Sequence, residues 1–154
     1  MEIIKTDRDK YMRAALELAR EAALAGEAPV GCVITDARGN IVASGRNRQE
    51  KLCSATAHAE MEAIASACAA LGDRRLSGCT LFVTLEPCPM CAGAIIAARV
   101  PRIVFGAADE VAGACGSVIN LFEERFGHKP AVYGRVLEDE CSRVLSDFFA
   151  KLRL

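Results

Sequence analysis

Apolar residues recur at helical spacing in the first quarter of the chain, at Met12, Ala15, Leu16, Ala19, Ala22 and Ala23. That period predicts a helix that starts near Thr6-Asp7-Arg8-Asp9 and is stopped by Gly26. Residues 29–35 (PVGCVIT) read as a strand, 36–40 as a turn and 41–44 as a second strand, which together make a hairpin. Residues 46–54 are polar and predict a loop. The Ala-rich stretch 57–70 carries Met61, Ile64 and Ala65 at helical spacing and ends before Gly72. Residues 81–85 are apolar and β-branched, the composition of a buried parallel strand. That strand breaks at Glu86-Pro87, because proline disfavours the helical region for the residue before it. A helix then runs to Ala98, with Cys88 and Cys91 in its first turn. A fourth strand over 102–106, a small-residue loop over 107–116, a short helix over 117–126, a fifth strand over 131–136 and a helix over 138–154 complete the chain. The order α-β-β-α-β-α-β-α-β-α predicts an α/β fold: a three-layer α/β/α domain with a mixed five-stranded sheet, spanning 1–154 as a single domain.

Composition narrows the class. Apolar residues make up 52% of the 154 and charged residues 25%, a globular balance. The N-terminal segment is charged and amphipathic, unlike a signal peptide, and no apolar run reaches transmembrane length, so no membrane partner is expected. Eight cysteines scattered through core-like segments predict free thiols and a cytoplasmic location. A net charge of −1 does not by itself announce a nucleic-acid binder.

Cys88 and Cys91, three residues apart at a helix start, bring two sulfurs to one face, where the positive end of the helix favours thiolate. Such a pair suits zinc. The chain has two histidines, and His58, at the start of an earlier helix, faces the same end of the sheet. Three protein ligands leave a fourth position for water, which zinc acidifies towards neutral pH. Glu60, two residues past His58, is a carboxylate beside that water and a candidate proton shuttle. Two blander readings are a closed structural site, with Cys53, Cys68, Cys79 or His128 as fourth ligand, and a redox pair. His-x-Glu at one helix start and Pro-Cys-x-x-Cys at the next favour catalysis. Cys32, Cys68, Cys79 and Cys141 read as small core residues, while Cys53 and Cys115 lie in loops.

With His58-Ala59-Glu60 and Pro87-Cys88-Pro89-Met90-Cys91 in place, the sequence resembles the zinc nucleobase deaminases. Further stretches, among them Glu27 to Gly31, Asn47-Arg48, Thr84 to Cys88, Val104 to Ala107 and Ser146 to Phe149, are similar to the bacterial tRNA adenosine deaminases within that family. The resemblance implies zinc-dependent hydrolysis of adenosine to inosine at the wobble position of an arginine tRNA, by a homodimer holding one Zn2+ per chain. It implies His58, Cys88 and Cys91 as ligands and Glu60 as the catalytic proton carrier. It implies Asn47, Asp109 and the backbone of Ala59 and Glu86 against the base or its ribose, and Phe148 and Phe149 beside the anticodon loop. No other protein partner is implied. Deamination of a free base such as guanine or cytosine, and a zinc-containing RNA-binding module without turnover, are the alternatives.

The chain also departs from that pattern. Val111 stands where the family usually has lysine, Gly127-His128-Lys129 stands for Asn-His-Arg and is followed by Pro130, and the C-terminus is less basic. Phosphate contacts supply most nucleic-acid affinity, so these changes bear on RNA binding and leave the metal chemistry alone. The cations expected near the mouth are Arg46, Arg48, Lys129, Lys151 and Arg153.

Overall fold

In the computed structural model, which describes residues 5–153, the sheet has the order β2-β1-β3-β4-β5. Its strands are β1 (Gly31–Thr35), β2 (Ile41–Arg46), β3 (Thr80–Leu85), β4 (Arg102–Ala107) and β5 (Ala131–Tyr133). β1 pairs antiparallel with both β2 and β3, whereas β3–β4 and β4–β5 are parallel. The helices are α1 (Lys5–Leu24), α2 (Gln49–Leu52), α3 (Ala59–Leu71), α4 (Pro89–Ala97) and α5 (Glu138–Leu152).

The two faces of the sheet can be read from alternate residues of the central strands. Cys32 and Ile34 of β1, Leu81 and Val83 of β3 and Ile103 and Phe105 of β4 pack with Ala59, Ala63 and Ala67 of α3 and with Ala92, Ile95 and Ile96 of α4. The intervening Val33, Phe82 and Val104 pack with Met12, Ala15 and Leu16 of α1 and Cys141 of α5. The result is the expected three-layer α/β/α arrangement with a mixed sheet. The two-sided apolar composition of 81–85 follows from burial on both faces.

Glycine sets how close α3 comes to the sheet. A Cβ on Gly45 would overlap the carbonyl oxygen of Ala59 and stand 2.8 Å from Ala63 N. The first turn of α3, which carries Glu60 and is preceded by His58, therefore lies directly against β2.

Three expectations are corrected. The short helix over 117–126 is instead a single 3-10 turn, Leu121–Glu123, opened by Asn120, whose side chain accepts from Phe122 N. Phe122 is buried and anchors it, while Ser117 is drawn towards Glu86. The loop over 46–54 contains α2, whose free amides at Glu50 and Lys51 bond the buried carboxylate of Glu27 at 3.0 and 2.9 Å. The fifth strand is also shorter than expected, because the chain leaves the sheet at Gly134, whose approach to the Phe105 ring leaves no room for a Cβ.

Candidate active site

Two helix starts meet at the carboxyl end of β3. His58 occupies the residue before α3 and Cys88 the residue before α4, both extended, with φ/ψ of −85/153° and −76/173°. Pro89 opens α4, where its missing N–H costs nothing, and Cys91 follows within the first turn. His58 Nδ1 lies 3.6 Å from Cys88 Sγ and 3.5 Å from Cys91 Sγ, and the three ligand atoms all lie within 4.8 Å of one another. Zinc bonds of about 2.3 Å to sulfur and about 2.0 Å to nitrogen, near the tetrahedral angle, separate N from S by about 3.5 Å. The donor set and its spacing therefore fit one zinc ion. Among the described residues this is the one cluster of at least three such donors. Cys53, Cys68, Cys79 and His128 lie outside it, and His128 Nε2 is instead 2.8 Å from the carbonyl of Val100.

The electrostatics of the cluster are those of a site made for a cation. The hydrogen bond with the Cys91 thiol, then the His58 ring, holds the Cys88 thiol down to about 4. The same bond, followed by burial, raises Cys91. The bond to Cys88 raises His58 against the opposing effect of burial. Without a metal only one thiolate is comfortable, and a divalent cation removes the conflict between the two. Glu60 is 4% exposed, with burial pushing its carboxyl up to about 7.

Glu60, His58 and Cys88 line a small cavity of about 120 Å³ together with Val30, Asn47, Gln49, Leu85, Glu86, Asp109 and Ala112. Asn47 sits in the wall, 6% exposed, and its Oδ1 accepts the amide of Ala59 at 2.8 Å. It supplies the helix-start bond that His58 does not make, and its Nδ2 has no partner among the described residues. Ala59 is fully buried, with its N–H taken by Asn47. Asp109 Oδ1 accepts from Val111 N and Ala112 N at 3.0 and 3.1 Å. Glu86 is 2% exposed, and its carboxylate takes the amides of Asp109, Cys115 and Ser117 and the Ser117 hydroxyl. Burial alone would raise this carboxyl, but those donors together hold it below its ordinary value.

The small cavity adjoins a wider one of about 380 Å³ that shares Val30, Asn47, Leu85 and Asp109 and adds Leu145 and Phe149 of α5 and Glu110 and Val111. The two phenylalanines therefore separate. Phe149, 41% exposed, faces this outer cavity. Phe148 lines a groove between α1 and α5 with Arg20, Val144 and Lys151, and its ring meets that of Phe149 edge-on with centroids 5.3 Å apart. None of the five expected cations lines either cavity among the described residues. Arg48 lies 3.3 Å from Glu62, Lys129 2.9 Å from Glu123, and Arg46 bonds the carbonyl of Glu21.

Sequence reasoning missed Val30, Leu85 and Gln49, which wall the small cavity, and the work of the Glu86 side chain. A usable signal was position: ligands of α/β sheets gather beyond the carboxyl ends of the strands, and Leu85 and Glu86 stand at that end of β3. Nothing in the sequence marked Gln49.

Known proteins resemble this chain in sequence and in fold. Residues 5–107 match the family described as the cytidine and deoxycytidylate deaminase zinc-binding region. The tRNA-specific adenosine deaminase of Bacillus subtilis is 48% identical over 149 residues, covering 96% of this chain and 92% of that protein. A tRNA(Ile)-lysidine synthase of Deinococcus deserti is 52% identical over 145 residues, but the chain spans only 27% of its length. A chain solved in studies of A-to-I editing by tRNA:A34 deaminases superimposes with a TM-score of 0.85 at 42% identity, covering 88% of this chain and 99% of that one. The guanine deaminase from Nitrosomonas europaea superimposes at 0.82 with 27% identity, covering 92% and 84%. With the His58–Cys88–Cys91 cluster beside a buried glutamate on this sheet, the chain belongs to the cytidine and deoxycytidylate deaminase zinc-binding family.

Proposed function

We propose that the chain hydrolyses adenosine to inosine at the wobble position of a tRNA anticodon. The observation that carries this reading is one small cavity lined by His58 and Cys88 of the three-residue cluster, by the buried Glu60 and by Asp109. The likeness to tRNA adenosine deaminases over nearly the whole chain supports it.

His58, Cys88 and Cys91 would hold the zinc, which when bound would acidify a water in the cavity. Glu60 takes a proton from the attacking water and returns it to the departing nitrogen. A C–O bond forms at the purine carbon, the C–N bond to the exocyclic amine breaks, and ammonia leaves. Val30 and Leu85 flank the base and exclude water, and the free Nδ2 of Asn47 donates to an acceptor on its edge. Asp109 accepts from a ribose hydroxyl, and Phe149 offers an aromatic face to a neighbouring base. The base must leave its loop to enter so small a cavity.

The whole of 1–154 acts in this reading as one deaminase domain, in the cytoplasm, as a homodimer. Eight free cysteines suit a reducing compartment, and no helix among the described residues is long and apolar enough to cross a membrane. Val118, Ile119 and Phe126, each about half exposed, supply apolar surface for a second copy, and light scattering giving a mass of 16.4 kDa at micromolar concentration would contradict the dimer.

The deciding experiment follows ammonia release and inosine formation from an anticodon stem-loop, from guanine and from cytosine. Stem-loop turnover that declines with salt is expected. Efficient turnover of a free base with the stem-loop left unchanged would overturn the tRNA reading in favour of a base deaminase.

A further inference from the structure

The Glu86 side chain has no place in the reaction just described, yet burying a carboxylate is costly unless its oxygens are satisfied. No cation pairs with it among the described residues. Its donors all come from one loop. Oε1 takes Asp109 N at 3.2 Å and the Ser117 hydroxyl; Oε2 takes Cys115 N at 3.0 Å and Ser117 N at 3.1 Å. The loop leaves room for it at Gly113, where a Cβ would collide with Oε2. The loop is already closed on itself by Gly113 N to Asp109 O, Val118 N to Gly113 O and Leu121 N to Ala114 O. The Glu86 bonds do something else: they join the loop to the segment that carries a metal ligand two residues on, a union reinforced by Ala114 N to Pro87 O at 2.8 Å.

We propose that Glu86 is a positioning residue, whose carboxylate fixes the 109–117 loop to the metal-bearing strand end so that Asp109 stands at a set distance from the reacting centre. The inference rests on the tRNA reading for Asp109's partner, a ribose hydroxyl, but the clamp itself is a property of the folded chain. The donors occupy both oxygens, so an amide nitrogen in place of either one confronts an N–H with an N–H. Glu86→Gln therefore breaks the clamp while keeping shape and volume. Ser117→Ala removes one donor amid several and costs less.

The test combines three readouts on Glu86→Gln, Ser117→Ala and Gly113→Ala. Amide hydrogen exchange on the zinc-loaded protein is expected to show protection lost at 109, 115 and 117 in Glu86→Gln but kept in β3 and α4, a local opening. Zinc content stays at one per chain. KM for the anticodon stem-loop rises about tenfold with kcat changed less than about threefold, and Asp109→Ala adds little in the Glu86→Gln background, the signature of two residues acting as one unit. Gly113→Ala, which crowds the same carboxylate from the loop side, raises KM with Glu86 intact, and Ser117→Ala gives a smaller rise. Unchanged protection at the three amides, full additivity with Asp109→Ala, or loss of zinc together with protection across β3 and α4 would each overturn the proposal. If the wild-type protein leaves the stem-loop unaltered, the tRNA reading falls by itself, and the exchange experiment still decides whether the clamp exists.

Discussion

The floor and the rim of the site are built by opposite means. The floor consists of regular elements: two helix starts, a strand end and a glycine-mediated contact between α3 and β2, with Cys91, Ala59 and Ala92 fully buried. The rim consists of a loop folded around one carboxylate and one face of α5, with Val111 at 89% and Phe149 at 41% exposure. The floor is built from packed regular elements, the kind of support that bond-making chemistry demands. The rim offers apolar surface with the carboxylates of Asp109 and Glu110 set in it, suited to telling one partner from another. In the proposed reaction, chemistry and selectivity thus lie on different parts of the fold.

Substitutions can pull the two apart, and the largest effect belongs to the floor. Cys91→Ala removes a buried ligand: zinc measured by elemental analysis should fall to trace levels, activity below about one part in 10³, and the thermal midpoint with it. Chelation of the wild-type protein should reproduce all three. Glu60→Ala should keep one zinc per chain and the fold while losing at least ~10²-fold in rate. Near-normal turnover there would end the assignment of Glu60 as proton carrier.

Rim changes should be smaller and should act through KM. Asp109→Ala should raise KM for the stem-loop about tenfold, while leaving any free-base reaction almost unaffected, since a free base has no ribose. Phe149→Ala should cost about one stacked base, ~1–3 kcal/mol of binding, with little loss of stability. Phe148→Ala should do the reverse, because that ring packs in the α1–α5 groove. The smallest expected effect is a gain: Val111→Lys adds one cation at the mouth, steepening the salt dependence of binding by about 0.7 in log–log slope. Equal KM shifts from floor and rim variants would erase the distinction.

The floor was legible because its signals are local. Periodicity located the helices, Pro87 and Pro89 the junction, and the three-residue spacing the cysteine pair. The rim was less legible because its structure depends on contacts distant in sequence. Residues 117–126 carry apolar spacing compatible with a helix, but the bonds from Ser117 to Glu86, thirty-one positions earlier, outcompete it. The Glu86 side chain looked like the polar neighbour of a proline and is in fact the hub of a loop. Phe148 and Phe149, adjacent in sequence, diverge because consecutive residues on a helix face different directions.

The three ligands differ in cover: Cys91 is fully buried, while His58 and Cys88 are only half so. Solvent and competing small molecules reach the cluster from one side. If these three residues hold the ion, its release would be ordered, with the His58 and Cys88 bonds exchanging before the deeper Cys91 bond. A bulky chelator should then strip the protein slowly, at a rate independent of its concentration once saturating, while a small thiophilic reagent attacks Cys88 before Cys91. Lability, as distinct from affinity, is written into the depth of a single sulfur.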